Sequence, residues 1–175
     1  MISQPNILLI SGSGQNTGKT TLACRLIEYF AGNFEITGIK ITPHFHALSH
    51  SIPKVLETKE FIIYEETERD RPKDSSRMLK AGARRVFFIV SEKEYVGKVM
   101  KDMLGILSPS TAIICESGGL EDFYRTGLHI FLKGSDNANI NPIKSTVIEV
   151  NFNGITFNLD FDKIVFDNNS WELNN

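Results

Sequence analysis

Residues 6–20, with the sequence NILLISGSGQNTGKT, decide the fold of this chain. The apolar residues 7–10 are typical of a strand that is buried on both faces, and a glycine-rich segment follows them directly. In residues 19–31 the apolar side chains recur at helical spacing, and residues 32–33 (GN) favour a helix end. Residues 34–41 predict a second strand. The order strand, glycine loop, helix, strand indicates the parallel sheet of an α/β protein.

The glycine-rich segment has the residue types and the spacing of a phosphate-binding loop. Residues 13–20 match the pattern G-x-x-x-x-G-K-[ST], except that Ser13 replaces the first glycine. Glycines let backbone N–H groups turn toward phosphate oxygens, and the helix that follows presents its positive end to the same anion. Lys19 is expected to neutralise the β- and γ-phosphates, and Thr20 to ligate Mg²⁺. The expected nucleotide-binding residues of this segment are Gly14, Gln15, Asn16, Thr17, Gly18, Lys19, Thr20 and Thr21.

Two acidic residues are candidates for a metal ion beside the phosphates. Glu116 follows the mostly apolar residues 111–115, so it is expected at the end of a buried parallel strand, where open α/β sheets collect their ligands. Asp74 begins a predicted helix, and both a helix cap and a metal ligand are open for it. The sequence therefore predicts a Mg²⁺ site at Thr20, Asp74 and Glu116. Lys19 and Glu116 are the expected catalytic residues, and Lys40 is a further expected nucleotide contact.

The rest of the chain predicts a single domain over residues 1–175 with a mostly parallel central sheet. A C-terminal β-hairpin is expected at residues 147–159, because they contain an Asn-Gly turn. Further helices are expected at 74–81 and 92–107, and further strands at 85–90, 111–115 and 128–132.

Residues 42–72 carry many charges and three histidines, and residues 60–65 within them predict a short strand. The whole segment is interpreted as a surface excursion from the sheet. We expect that removing about residues 51–68 leaves folding and nucleotide binding intact, since long surface insertions carry few core contacts. The histidines favour a surface loop over a metal site, because no cysteine or acidic residue lies among them. They are His44, His46 and His50.

Composition and charge exclude several classes of protein. Apolar residues make up 41% and charged residues 23% of the 175 residues, as in a folded globular chain. The net charge of −2 argues against a broad basic surface for nucleic acid. Cys24 and Cys115 form no metal-binding pattern and are interpreted as reduced thiols. No targeting segment and no run of membrane length is visible, so we expect a cytoplasmic protein that binds neither nucleic acid nor membranes.

Five segments in this order resemble the MobB family, the molybdopterin-guanine dinucleotide biosynthesis adapter proteins. Besides the loop they are residues 38–40 (GIK), His44, residues 73–77 (KDSSR) and residues 81–83 (AGA). The resemblance implies a three-layer P-loop NTPase fold of the dethiobiotin synthetase-like kind that binds GTP with Mg²⁺. It also implies a homodimer and, as a partner, a molybdopterin nucleotidyltransferase, the enzyme that joins GMP to molybdopterin.

Three functions are open on these residues. The first is a GTP-binding adapter of molybdenum cofactor biosynthesis with weak GTPase activity. The second is an ATP-dependent ligase or kinase, because residues 116–120 (ESGGL) resemble the E-G-A-G-G of dethiobiotin synthetase, and Lys40 would then face a small carboxylic acid. The third is a nucleotide-controlled switch that contacts a partner through the charged segment. Residues 133–136 (KGSD) lack the Asn of the guanine motif N-K-x-D, so the choice of GTP over ATP depends on the resemblance alone.

Overall fold

The computed structural model describes residues 1–14, 16–43, 52–134 and 147–174. Among the sequence predictions, Gln15, the three histidines and the end of the KGSD segment lie outside these residues. The helices and strands are β1 (Ile2–Gly12), α1 (Lys19–Phe30), β2 (Ile36–Thr42), β3 (Lys54–Glu57), β4 (Phe61–Glu65), α2 (Asp74–Lys80), β5 (Arg85–Ser91), α3 (Val96–Ile106), β6 (Ala112–Glu116), β7 (Tyr124–Lys133), β8 (Val147–Asn151), β9 (Ile164–Asp167) and β10 (Ser170–Leu173).

Within the described residues, eight strands form one sheet in the order β3-β4-β5-β2-β6-β1-β7-β8. Six of these strands, β5-β2-β6-β1-β7-β8, are parallel to one another. The strands β3 and β4 are antiparallel and lie at one edge. This topology confirms the predicted α/β class with a mostly parallel sheet.

Apolar side chains cover both faces of the sheet, because successive residues of a strand point to opposite sides. In β1, Leu8 and Ile10 pack in one core cluster with residues of α1 and α2, and Trp171 of β10 joins that cluster. Ile7 and Leu9 pack in a second cluster with residues of α3. The sheet therefore lies between helices on both sides. Among the described residues, no helix is long and apolar enough to cross a membrane.

The interpretation of residues 42–72 as a surface excursion is wrong for the part that forms β3 and β4. Strand β4 pairs with β5, and its residues Phe61 and Ile63 are buried. The charges misled the prediction because β3 is an exposed edge strand, on which Lys54 and Glu57 pair in solvent. Charged side chains are a common protection of edge strands, so a high charge density is compatible with a place in the sheet.

The predicted hairpin at residues 147–159 is also wrong, although its turn forms. The Asn153 N–H donates to the Thr156 carbonyl at 3.3 Å, and Phe152 and Phe157 make a single antiparallel bridge. Residues 155–159, the predicted second strand of this hairpin, form no strand, and β8 pairs in parallel with β7 instead. The C-terminal hairpin of the structure consists of β9 and β10.

Helix α2 approaches β2 closely because Gly38 has no side chain. A Cβ atom on Gly38 would lie 3.3 Å from a methyl group of Val86 and 3.4 Å from the sulfur of Met78. This close packing brings the first residue of α2, Asp74, within reach of Lys40, which lies two residues beyond Gly38 on the same face of β2.

The place of β4 in the sheet can be tested with one buried residue. We expect Ile63→Ala to lower the free energy of unfolding by about 2–5 kcal/mol, because it leaves a cavity in the core cluster beside α3. The control is Val55→Ala on the edge strand β3, where Val55 is exposed and we expect a change within about 0.5 kcal/mol. Urea unfolding measures both. If both variants lowered the free energy of unfolding by an equal and small amount, β4 would be part of a surface excursion and not of the central sheet.

Candidate functional site

The candidate site lies at the carboxyl edge of β1, β2 and β6. In the sheet register Glu116 of β6 is opposite Ile10 of β1 on one side and Lys40 of β2 on the other. The three strands are parallel, so the loop that follows β1 begins at the same edge. A cavity of about 970 Å³ opens there. Its lining includes every described residue that the sequence assigned to nucleotide or metal, namely Gly14, Asn16, Thr17, Gly18, Lys19, Thr20, Thr21, Lys40, Asp74 and Glu116.

The loop between β1 and α1 has backbone conformations that favour glycine and asparagine. The φ angles of Gly14, Asn16 and Gly18 are 81°, 59° and 89°, in the left-handed region that other residues rarely adopt. Ser13 fixes the base of the loop, because its hydroxyl accepts the N–H of Gly134 at 2.7 Å. The side chain at the first position of the pattern, which the sequence shows as a departure, therefore connects the loop to the end of β7.

The start of α1 is suited to an anion. The first turn of α1 contains no acidic residue and begins with Lys19, so its free N–H groups and positive end are not neutralised from within the helix. The Lys19 ammonium donates to the Gly14 carbonyl at 2.5 Å and to the Thr17 hydroxyl at 3.0 Å. Burial, together with the nearby Lys40, lowers the pKa of Lys19 against the opposing effect of Glu116. A bound anion at the loop would favour the charged form of Lys19.

Thr20, Lys40, Asp74 and Glu116 form one network of hydrogen bonds. The Lys40 ammonium donates to a Glu116 carboxylate oxygen at 2.5 Å, to Asp74 at 2.9 Å and to the Thr20 hydroxyl at 3.4 Å. The Thr20 hydroxyl donates to the second oxygen of Glu116 at 2.7 Å. The three residues that the sequence predicts as metal ligands thus lie around a single ammonium group.

The charges of this network support one another. Burial by itself disfavours the charged form of Lys40, but Glu116 and then Asp74 outweigh it and raise the pKa of Lys40. Burial also disfavours the charged form of Asp74, and Lys40 outweighs it and lowers the pKa of Asp74. Only 4% of the Glu116 side chain and 15% of the Lys40 side chain are exposed, against 41% for Asp74. Glu116 and Lys40 are therefore the buried centre of the network, and Asp74 is its rim.

Asp74 is not the cap of its helix. The N-cap of α2 is Lys73, and Asp74 lies in the first turn. Its carboxylate binds Lys40 and, at 3.4 Å, the guanidinium of Arg77, which also donates to the Thr21 hydroxyl at 3.3 Å. Of the two readings open from the sequence, the capping one is wrong, and Asp74 faces the cavity between α1 and α2.

Two residues of the cavity carry features that the sequence prediction missed. The Ser117 hydroxyl is buried and finds no hydrogen-bond partner among the described residues. Phe152 stacks on Phe157 and lies against Gly18, where an added Cβ would approach its ring to 2.7 Å. The position of Ser117 directly after Glu116 could have suggested its place, but Phe152 lies in a segment far from the loop in sequence.

The residues present fit a polyphosphate and a divalent metal. An unpartnered buried hydroxyl, an unneutralised helix start and two lysines are donors for phosphate oxygens. Among the described residues, no group of three or more His, Cys, Asp and Glu side chains is placed to hold a metal. Two carboxylates and a hydroxyl are nevertheless oxygen ligands of the kind that Mg²⁺ accepts when phosphates and water complete its shell. Thr20, Asp74 and Glu116 are the residues that would hold it.

No family model, curated protein or solved structure matches this chain. Its functional assignment therefore rests on its own residues and their geometry.

Glu116 and Asp74 differ in burial, and this difference predicts different effects of neutralising them. We expect Glu116→Gln to weaken Mg²⁺-dependent nucleotide binding strongly, while binding without Mg²⁺ stays near normal or becomes tighter because a carboxylate near the phosphates is gone. Asp74→Asn should show the same pattern with a smaller amplitude, since Asp74 is more exposed.

The measurement is a Mg²⁺ titration of nucleotide binding for both variants. The control is Glu60→Gln, which removes a surface carboxylate that pairs with Lys98 at 2.6 Å away from the cavity lining. An unchanged Mg²⁺ dependence in Glu116→Gln would place the acidic partner of the metal elsewhere in the chain.

Proposed function

We propose that this chain is a P-loop nucleotide-binding protein that binds a nucleoside triphosphate with Mg²⁺ and hydrolyses it weakly. The observation that carries the proposal is the meeting of Lys19, Thr20, Lys40, Asp74 and Glu116 with the start of α1 at one cavity. Each of these groups has a role in holding phosphate or metal. They meet at the carboxyl edge of parallel strands, which is where open α/β sheets bind their ligands.

The residues of the chain divide this work between them. The backbone N–H groups of residues 16–20, at the loop and the start of α1, bind phosphate oxygens. The Lys19 ammonium exchanges the Gly14 carbonyl for the β- and γ-phosphates and neutralises charge there. Thr20, Glu116 and Asp74 are the residues that would hold Mg²⁺, and a metal there would offset the charge that develops on the phosphates during hydrolysis. The hydrolysis is expected to be slow, because the acidic side chains among the described lining residues, Asp74 and Glu116, are paired with Lys40 and are assigned to the metal rather than to a water molecule.

For the biological role, we propose a GTP-binding adapter of molybdenum cofactor biosynthesis, supported by the resemblance to the MobB family. In this role the partner is a molybdopterin nucleotidyltransferase, and the chain acts as a homodimer in the cytoplasm. Three of the segments of the resemblance contribute residues to the site: the loop, residues 38–40 with Lys40, and residues 73–77 with Asp74 and Arg77. This shared location favours their use by one ligand.

An ATP-dependent ligase or kinase that acts on a small carboxylic acid is the second candidate. It is favoured by Ser117 and Gly118, which line the same cavity as Lys40 and offer a free hydroxyl and an open backbone. Against it, the Lys40 ammonium is paired with Glu116 and Asp74, and a single substrate carboxylate carries less charge than a polyphosphate with which to draw the ammonium away from them.

Titrations with GTP and with ATP, each with and without Mg²⁺, test the proposal and separate the candidates. Tight GTP binding without ATP binding supports the adapter, and the reverse supports the ligase or kinase. We expect Lys19→Ala to abolish triphosphate binding while the thermal stability stays close to that of the parent, because the hydrogen bonds of Lys19 to described residues go to Gly14 and Thr17 of the loop. Lys93→Ala, at a surface pair with Asp122, is the control. Undiminished affinity in a folded Lys19→Ala protein would refute the P-loop assignment.

The Ser117 hydroxyl, which has no hydrogen-bond partner among the described residues, gives a second prediction. We expect Ser117→Ala to weaken triphosphate binding by roughly tenfold or more, because a hydrogen bond to a charged group is lost, without lowering the stability. The matched control is Ser91→Ala at the end of β5, where the hydroxyl already donates to the Glu92 carbonyl at 3.0 Å. That variant should lose stability and keep its nucleotide affinity. A Ser117→Ala protein that binds as tightly as the parent would mean that the hydroxyl does not contact the nucleotide.

A further inference from the structure

The Lys40 ammonium lies where a divalent metal would need to be. It is within 2.5 Å of a Glu116 oxygen, 2.9 Å of an Asp74 oxygen and 3.4 Å of the Thr20 hydroxyl. These are the same three side chains whose oxygens suit Mg²⁺. An ammonium group and a metal ion cannot occupy the centre of one set of oxygens together, since both their volumes and their charges conflict.

A positive charge beside Glu116 stabilises the folded protein. Glu116 is buried, and an unpaired buried carboxylate is strongly disfavoured. Lys40 is fixed opposite Glu116 by the register of β2 and β6, so it is always available as the counter-charge. Its flexible stem of four carbons also lets the ammonium move by several ångströms without any change in the strand.

We propose that Lys40 is a built-in cation that excludes divalent metal from Glu116 and Asp74 until a polyphosphate binds at the loop. This inference rests on the proposed function and adds an order of binding to it: the anion alone or the metal–anion complex enters, and free metal does not. The phosphates draw the Lys40 ammonium away from the carboxylates, and the oxygens of Glu116, Asp74 and Thr20 then become available to the metal.

The position of Lys19 supports the direction of this movement. Lys19 and Lys40 line the same cavity, and Lys40 is one of the groups that lower the pKa of Lys19, so two ammonium groups flank the same space beside the loop. A polyphosphate in that space attracts both of them. The carboxylates lose the ammonium and gain the metal, and the buried Glu116 keeps a counter-charge in both arrangements.

Binding of Mn²⁺ to the protein without nucleotide tests the proposal directly, with electron paramagnetic resonance as the readout. We expect the parent protein to bind Mn²⁺ no more tightly than Glu116→Gln does, and Lys40→Met to bind one Mn²⁺ at least tenfold more tightly than the parent. The gain should vanish in the double variant Lys40→Met/Glu116→Gln. Lys98→Met, which removes a surface lysine paired with Glu60, is the control and should gain nothing.

A second measurement keeps the test decisive if Lys40→Met does not fold. Inorganic tripolyphosphate is added to the parent protein, and we expect it to create Mn²⁺ binding that Glu116→Gln lacks. Tight, Glu116-dependent Mn²⁺ binding to the parent without any anion would overturn the proposal, as would the absence of a gain in folded Lys40→Met. Failure of the proposed function appears separately, as an absence of nucleotide binding in the parent, and leaves the Mn²⁺ comparison between parent and Lys40→Met interpretable.

Discussion

The contact between the Lys40 ammonium and the buried Glu116 carboxylate is the interaction on which the rest of the site depends. Each charge would be costly to bury without the other, and removal of one partner of a buried pair commonly costs about 3–5 kcal/mol. The pair is possible because β2 and β6 are neighbours in exact register there. A slip of one residue in either strand would turn its side chain to the opposite face of the sheet. Register and charge therefore constrain each other at this edge.

Glu116 also fixes the helix that follows the loop. Its second oxygen accepts the Thr20 hydroxyl, so the first turn of α1 is held against the end of β6. On the other side of Lys40, Asp74 connects the start of α2 to the same ammonium, and this contact needs the close approach that Gly38 permits. Lys40 thus connects two strands and the starts of two helices. A substitution of Lys40 should therefore disturb the positions of all four elements at this edge.

The sequence could predict the parts of the site that depend on local pattern. A strand that runs through a glycine loop into a helix places Lys19 and Thr20 together, and parallel topology brings Glu116 to them. The role of Lys40 was not accessible in the same way, because it depends on β2 and β6 being neighbours, and these strands are far apart in the chain. The same limit explains β8: the turn at Asn153 is local and forms, but the partner of β8 is decided by the sheet. For β4, the strand itself was visible in the sequence, but the flanking charges argued against a place in the sheet, which its pairing with the distant β5 decides.

The balance of charge in the network around Lys40 supports the proposal that the site takes a metal–polyphosphate complex rather than either component alone. The positive charges of Lys19 and Lys40 offset the negative charges of Asp74 and Glu116, so these four side chains together attract a free anion only weakly. The loop amides and the start of α1 supply the remaining attraction for the anion. A free metal ion meets carboxylates that are already neutralised by Lys40. Under the proposed function, the phosphates of the complex would draw Lys40 toward Lys19, and Glu116 and Asp74 would then be left to hold the metal. Each charged group would then have a partner of opposite charge, whereas the metal alone or the polyphosphate alone would leave at least one charged group unpaired.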